Sequence, residues 1–569
     1  MAHVAVDSTQ GAERRIALLC IDPAEDEGVL SLNYSTRKLM AALLSPPELE
    51  GVEVHLVESR AKDPDEFMAR LEAIDPDIVG ASGYVWSMPT FVEVARRWKR
   101  QRPDSLVIFG GPSARPRMLQ HAPFADTPQF VDAFVEGEGE EVLREIAALE
   151  DCSRDGLRGV RGLMLAAGDG WRPTAPRIER GDLSNFQSPY VMGLLGRHQT
   201  GLLETFRGCP FACTFCQWGD AKKIDRTFSA EYIAGDLRAL AGLDAKGAAL
   251  IDAGLNLNPR AFQNLLAAER EVGFFRERNF YCEVYPSHLS GEQVEFLQHV
   301  RADRISVGLQ SFDPGVLGSL QRRFDEANFR RVVETLAKIA NLVTVEIIMG
   351  LPGDNPRAFL NTLDRLLDLP CESRVFHCLV LPDALMDRAA PGSDMVYDPS
   401  TLEMISCKGW PPGEIARMRD TLDKRAAQLH GVAMKDWWEF PGPHMSRQSA
   451  PRQDASSRAG GAALPPPIHD AIAAGVQRAT GGSWTLRATE AANGAVSVEI
   501  ATPEGALVLD VARAVPGGRT YRSLNGVDYR YRRGAGAAPS RGALRQLDRV
   551  IEHLSAVMPP LVGDGSTSA

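Results

Sequence analysis

Apolar and polar positions alternate along much of this chain in two different periods. Between residues 14 and 150, short apolar runs that suit buried strands recur at Arg15–Ile21, Val52–Val57, Asp77–Gly83, Leu106–Phe109 and Phe130–Val135. Between them, Leu32–Leu44, Asp63–Ala73 and Pro89–Arg100 carry helical spacing, and Asp63-Pro64 is a helix-start signal. This alternation predicts a doubly wound, Rossmann-like parallel sheet with its ligand at the carboxyl ends of the strands. Those ends are small or acidic: Ser82-Gly83, Gly110-Gly111-Pro112 and Glu136-Gly137-Glu138. No G-x-G-x-x-G opens the first helix, so a dinucleotide is not the expected ligand.

The same alternation resumes after an irregular connector over 151–200, where Gly162–Leu165 and Trp171–Pro173 suit a hairpin. From residue 201 to 391, six strand-like runs begin at Gly201, Ala248, Phe280, Arg304, Thr344 and Arg374, with helical stretches between them. Six such units predict a partial (β/α)6 barrel, open on one side. Residues 392–445 extend the barrel, and 446–467 read as a Ser/Ala/Gly/Pro-rich linker. Residues 468–558 read as a small α+β domain: helices at Ile468–Ala479 and Arg541–Met558, with strands at Val496–Ile500, Ala506–Val511 and Val527–Tyr531. The expected architecture is therefore α/β, in several domains.

Composition narrows the function. The 569 residues exceed what a single core covers, and 44% hydrophobic with 24% charged residues is ordinary for a globular protein. No apolar run reaches the ~20 residues that cross a bilayer, and the start lacks a signal pattern, so a cytoplasmic enzyme is expected. The net charge of −11 argues against nucleic acid as a partner. Residues 446–569 hold 14 Arg, no Lys and 10 acids, a local +4 that reads as a solvated surface and leaves −15 on the rest. Nine cysteines, three of them clustered, do not form a disulfide framework.

The clustered three carry the chemistry. Arg207-Gly208-Cys209-Pro210-Phe211-Ala212-Cys213-Thr214-Phe215-Cys216-Gln217-Trp218-Gly219 spaces its thiols C-x3-C-x2-C directly after the first barrel strand. Three thiolates hold three corners of a cubane iron–sulfur cluster and leave the fourth iron open. Gly208 and Pro210 suit a tight loop with N–H groups turned to sulfur, and Phe215 would shield a cluster from water. A structural zinc site is the alternative, though zinc usually takes a fourth ligand and paired C-x2-C knuckles.

The loop resembles that of the radical S-adenosylmethionine (SAM) enzymes, and the domain before it resembles the cobalamin-binding domain of their cobalamin-dependent branch. The resemblance covers roughly residues 14–440 and implies three cofactors: a [4Fe–4S] cluster on Cys209, Cys213 and Cys216, SAM on the open iron, and cobalamin. Ser82, Gly83, Gly110, Gly111, Glu136 and Gly137 would lie along the corrin. The D-x-H-x-x-G motif is absent, so no histidine ligand to cobalt is expected. Trp86, with Tyr84 and Val85, would cap the lower face instead, its alternative being a buried aromatic packed on the sheet. Around SAM, the resemblance points to Asp252, Ala253, Gly254 and Asn256 after the second barrel strand, although the usual Gly-Gly-Glu is not present. It points further to Glu283 in the third strand, Gln310 and Ser311 ending the fourth, and Gly350 after the fifth.

The implied activity is methylation of an unactivated carbon in a natural-product or peptide substrate, by way of methylcobalamin and a 5′-deoxyadenosyl radical. An electron donor such as flavodoxin or ferredoxin would serve the cluster. Two other readings stay open: a cyclisation or rearrangement that uses both cofactors without methyl transfer, and a non-catalytic cobalamin-binding sensor or scaffold. RNA methylthiolation is disfavoured because the first domain lacks a second three-cysteine set.

Overall fold

A computed structural model describes residues 14–21, 33–178, 182–195, 200–219, 226–286, 289–300, 302–429, 431–434 and 437–442, and five strands between 485 and 533. The chain divides into two compact units, with the boundary near residue 451.

In the first unit, β1 (Arg14–Ile21), α1 (Tyr34–Leu44), β2 (Val52–Ser59), α2 (Pro64–Ile74), β3 (Ile78–Ser82), α3 (Met88–Gln101) and β4 (Leu106–Gly110) follow one another. Next come α4 (Pro116–Leu119), β5 (Ala133–Val135), α5 (Glu140–Ala147), β6 (Leu163–Ala167) and β7 (Gly170–Pro173). The sheet order is β2-β1-β3-β4-β5-β6-β7. Its first five strands are parallel, and the last two return antiparallel. The hairpin expected in the connector thus extends the first sheet. Helices start where side chains cap them: the Asn33 carboxamide accepts from the Thr36 N–H, and Asp63 accepts from Asp65 ahead of Pro64. Both sheet faces are covered. Phe67, Phe91, Trp98 and Phe109 fill one side, and Leu18, Leu43, Ile108 and Ile146 fill the other. Such two-sided burial is why β1 is apolar without a break from Ile16 to Ile21.

The second sheet begins with β8 (Gly201–Leu203), α6 (Ala230–Gly242), β9 (Gly247–Leu250), α7 (Pro259–Val272), β10 (Asn279–Val284), α8 (Gly291–His299) and β11 (Arg304–Gln310). It continues through α9 (Pro314–Ser319), α10 (Glu326–Leu336), β12 (Leu342–Met349), α11 (Pro356–Leu367) and β13 (Glu372–His377). These six strands are parallel neighbours in sequence order, from β8 to β13. The next elements are α12 (Leu385–Arg388), β14 (Val396–Tyr397), β15 (Met404–Ser406), α13 (Glu414–Gln428), β16 (Val432–Ala433) and β17 (Trp437–Phe440). β17 pairs antiparallel with β13. β17 pairs on its other side with β16, which is the outermost strand, so Trp437–Phe440 lies inside the sheet, with Trp438 and Phe440 in the core and the Trp438 indole N–H donating to Asp423 at 2.6 Å.

The stretch after β13 leaves the barrel to pack on the first sheet. Leu402 is buried among that sheet's apolar residues, and Leu381, Met386 and Tyr397 lie against the same cluster. Beyond residue 451 the described elements are β18 (Thr485–Glu490), β19 (Val496–Thr502), β20 (Gly505–Arg513), β21 (Arg522–Leu524) and β22 (Val527–Arg533), an antiparallel sheet ordered β18-β19-β20-β22-β21. The helices expected at 468–479 and 541–558 lie outside the described residues. Among the described residues, no helix is long and apolar enough to cross a membrane.

Candidate functional site

The cysteine loop leaves the end of β8 and is pinned from several sides. Asp252, just past β9, is buried; its carboxylate accepts from the Thr205 N–H at 2.8 Å and from the Thr205 hydroxyl. Burial pushes this acid up to about 7 against those hydrogen bonds. Its oxygens thus hold the strand end that launches the loop. Asn256 exchanges two hydrogen bonds with the Tyr285 backbone, at 2.6 and 2.9 Å. The Tyr285 ring in turn stacks on Phe211 of the loop, centroids 4.3 Å apart, and the Arg322 guanidinium lies over Tyr285 at 5.0 Å. Thr214 N–H donates to the Leu320 carbonyl at 3.1 Å. Gly208 takes φ +99°, a backbone state that a side chain would strain.

Within the loop the three thiols share one electrostatic neighbourhood. Burial raises Cys209, with Cys213 adding to the rise; burial pushes Cys216 up to about 11, with Cys213 and Cys209 adding. The Phe211 N–H bonds Cys209 sulfur and the Trp218 N–H bonds Cys216 sulfur, while Arg322 acts against both rises. Amide donors and a nearby cation are what thiolates of a cluster require, so the donor set fits a [4Fe–4S] group. Each cysteine would bind its own iron. Among the described residues, no three His, Cys, Asp or Glu side chains gather as ligands of one metal ion. Phe215 packs on the barrel core beside the loop.

Around the barrel mouth the strand ends carry polar groups. Glu283 is ringed by protein yet still reached by solvent on its strand; its carboxyl is raised by that partial desolvation and by repulsion from Glu346, with Arg322 opposing. Glu346, on β12, is raised by burial against the pull of Arg374 and a Ser306 hydrogen bond. Gln310 sits at φ +75° beside a register shift opposite β12, a strained position for a residue with a side chain. Ser311 is fully buried, and its hydroxyl accepts from the Asp313 N–H at 3.1 Å. Gly350 takes φ +90° under Ile415 of α13, where a Cβ would come within 3.1 Å. The acids, Arg322 and Gln310 supply both charges and hydrogen-bonding groups, and so suit a zwitterion with a ribose such as SAM. Sequence reasoning missed Glu346 and Arg322: neither stands in a motif, and only the folded barrel brings them to Glu283.

On the first sheet, two of the glycines have a local reason. Gly83 N–H donates to the Gly110 carbonyl at 2.7 Å, and Ser113 N–H donates to the Gly83 carbonyl at 3.0 Å. A Cβ on Gly83 would meet Met88 sulfur at 2.7 Å; one on Gly111 would meet the Gly83 carbonyl oxygen at 2.8 Å. The two loops need glycine to close on each other. Only Gly110 of this group has open space where its side chain would be. Ser82 ends β3 half-buried. Trp86 stacks on Tyr84 at 4.6 Å, lies partly buried against the cluster that includes Leu381 and Met386, and keeps its indole N–H buried without a partner.

A cavity of about 520 Å³ has Glu136 and Gly137 in its wall together with Lys38, Arg115, Arg177, Arg207 and Arg226, while Ser82, Gly83, Trp86, Gly110 and Gly111 are not part of its lining. Arg207 bonds Glu204 at 2.9 Å, Glu138 at 3.1 Å and Glu140 at 2.6 Å, and Arg226 pairs with Glu138. Burial alone would raise Glu140, but attraction to Arg207 holds its carboxyl down at about 2. Open space at Gly110 and the orphaned Trp86 donor fit a large amide-bearing macrocycle such as a corrin over the strand ends of the first sheet. On the other side of the loop, Gln217 donates to the Pro112 carbonyl at 3.0 Å and to the Pro382 carbonyl at 2.8 Å.

Comparison with known proteins finds two families along the chain. Residues 203–366 match the radical SAM superfamily, and residues 40–147 match the B12-binding domain. The cobalamin-dependent radical SAM methyltransferase TokK of Streptomyces tokunonensis is 27% identical over 336 residues, covering 55% of this chain and 48% of its own. A 2-(S-pantetheinyl)-carbapenam-3-carboxylate methyltransferase of Streptantibioticus cattleyicolor is 29% identical, covering 54% and 48%. The matches thus span about half the length of these curated relatives. The solved structure of TsrM, a radical SAM methyltransferase from Kitasatospora setae with cobalamin and a [4Fe–4S] cluster bound, has the same fold. Its TM-score is 0.56 at 17% identity, covering 81% of this chain and 94% of that one. The chain carries a B12-binding domain and a radical SAM domain and is homologous to cobalamin-dependent radical SAM methyltransferases. The two domains imply cobalamin, SAM and a [4Fe–4S] cluster as its cofactors.

Proposed function

We propose that this protein is a cobalamin-dependent radical SAM methyltransferase that adds a methyl group to an unactivated carbon of a small natural-product or peptide substrate. The observation that carries the reading is the cysteine loop's position. Gln217, next to Cys216, bonds both the B12-binding domain at Pro112 and, at Pro382, the stretch after β13 that packs on that domain. A corrin on the first sheet and a cluster on the loop would then face one shared space. Together the bound cofactors supply one-electron cleavage of SAM and a methyl group carried on cobalt. Cys209, Cys213 and Cys216 would hold the cluster. Glu283, Gln310 and Ser311 would orient SAM, assisted by Gly350 where the backbone must turn, and Asp252 would hold the loop's base. Ser82, Gly83, Gly110, Gly111, Glu136 and Gly137 would border the corrin, with Trp86 excluding water from its lower face. Phe215 would keep water from the cluster.

We place the corrin-binding domain at 14–150, the connector at 151–200, the radical domain at 201–391, its extension at 392–445, the linker at 446–467 and the last domain at 468–558. A flavodoxin- or ferredoxin-like protein would deliver the electron, in the cytoplasm. An acidic chain does not favour a nucleic acid substrate.

Anaerobic reconstitution tests the proposal. The wild-type protein is expected to take up iron, sulfide and cobalamin and, once reduced, to cleave SAM to 5′-deoxyadenosine. A C209A/C213A/C216A variant is expected to do none of the iron-dependent steps. Candidate substrates should gain one methyl group by mass. Loss of SAM cleavage in loaded wild-type protein, or a product of unchanged composition, would overturn the methyltransferase reading.

A further inference from the structure

The stretch after β13 touches both the first sheet and the cysteine loop. Its apolar residues Leu381, Met386 and Leu402 pack on the B12-binding domain. Asp383 pairs with Arg115 at 2.7 Å, and Asp387 pairs with Arg117 at 3.0 Å. The last residue of α12, Arg388, points the other way in function: its guanidinium donates to the backbone carbonyl of Cys216. Its Nε–H is buried and has no partner. A half-buried arginine that keeps one N–H out of water without a partner is costly unless something nearby needs its charge.

We propose that Arg388 is a positioning residue for the cluster. It ties the third cysteine to the segment docked on the B12-binding domain, and it places a fixed positive charge beside the site that must accept an electron. The inference rests on the reading of Cys209, Cys213 and Cys216 as cluster ligands. Adding one electron to a cluster makes it more negative, so a nearby cation stabilises the reduced form and raises the potential. The electron comes from the external donor, and no proton need move. Sequence spacing gave no sign of this residue, because 172 positions separate Arg388 from Cys216.

The test is a reductive titration of reconstituted wild-type, R388Q and R388K proteins, followed by EPR of the reduced cluster without substrate. R388Q is expected to hold its iron yet be about tenfold less reduced at the wild-type midpoint, a shift of about 59 mV for one electron. R388K keeps the charge and is expected to titrate close to wild type. An R388Q protein with an unchanged midpoint would overturn the inference while leaving the cluster assignment intact. A wild-type protein without a cluster would instead overturn the assignment on which it rests. Should R388Q fail to load iron, R388K decides: loading with a wild-type midpoint supports the role, and failure in both variants overturns the charge argument.

Discussion

Upstream of the three cysteines the loop is joined to the B12-binding domain by buried charge; downstream it is joined mainly through backbone carbonyls. The upstream joint sets Arg207 against Glu138, Glu140 and Glu204, with Arg226 returning from beyond the loop to pair with Glu138, and the Arg207 side chain is only 18% exposed. In the downstream joint, Gln217 and Arg388 donate to carbonyls, while the ion pairs of Arg115 and Arg117 involve more accessible partners, Asp383 at 55% and Arg117 at 54%. The difference is one of tolerance. A buried charge that loses its partner is stranded, whereas a half-exposed pair is replaced by water.

Truncating Arg207 should therefore have the largest effect on the fold. R207M leaves Glu138, Glu140 and Glu204 facing one another and is expected to cost about 3–5 kcal/mol, read as a lower urea midpoint. The next effect depends on pH. A depressed carboxyl contributes stability that is complete above its ordinary pKa of 4.5 and is lost as the pH falls toward its folded value of about 2. Wild-type protein should weaken across that window by about 3 kcal/mol more than E140Q does. Parallel acid-unfolding curves for the two proteins would break the comparison. Downstream, Q217L removes two donors from carbonyls and is expected to cost about 1–2 kcal/mol by thermal unfolding. The smallest effect belongs to D383N/D387N, about 1 kcal/mol or less and weaker still in high salt. A double variant as damaging as R207M would show that the joints are alike after all.

Much of the framework could be read from periodicity. The apolar runs at Ile16–Ile21 and Leu106–Phe109 are buried on both faces, so their pattern is continuous and distinctive. The cysteine spacing is local, and the loop can be found without a fold. What stayed hidden depends on contacts between distant positions. Arg207 meets Glu140 across 67 residues, and the Gly83–Gly111 contact is a meeting of two loops. Asp252 stood at a strand end where a ligand was expected, yet its oxygens engage Thr205, a partner 47 positions away. Strands β16 and β17 lay in a stretch read as an undivided extension, since two and four residues leave little period to detect. Gln310 at positive φ is invisible to composition, because nothing in a glutamine announces a left-handed backbone.

The antiparallel strand β17 has a consequence for how the chain may be cut. It covers the hydrogen-bonding side of β13 and is itself covered by β16, so the ladder is closed off by residue 440. A protein ending at residue 451 would keep every described strand pairing of both α/β sheets. No described strand of the sheets that carry the cysteines pairs with a strand of the last unit, so shortening or exchanging that unit breaks none of their ladders.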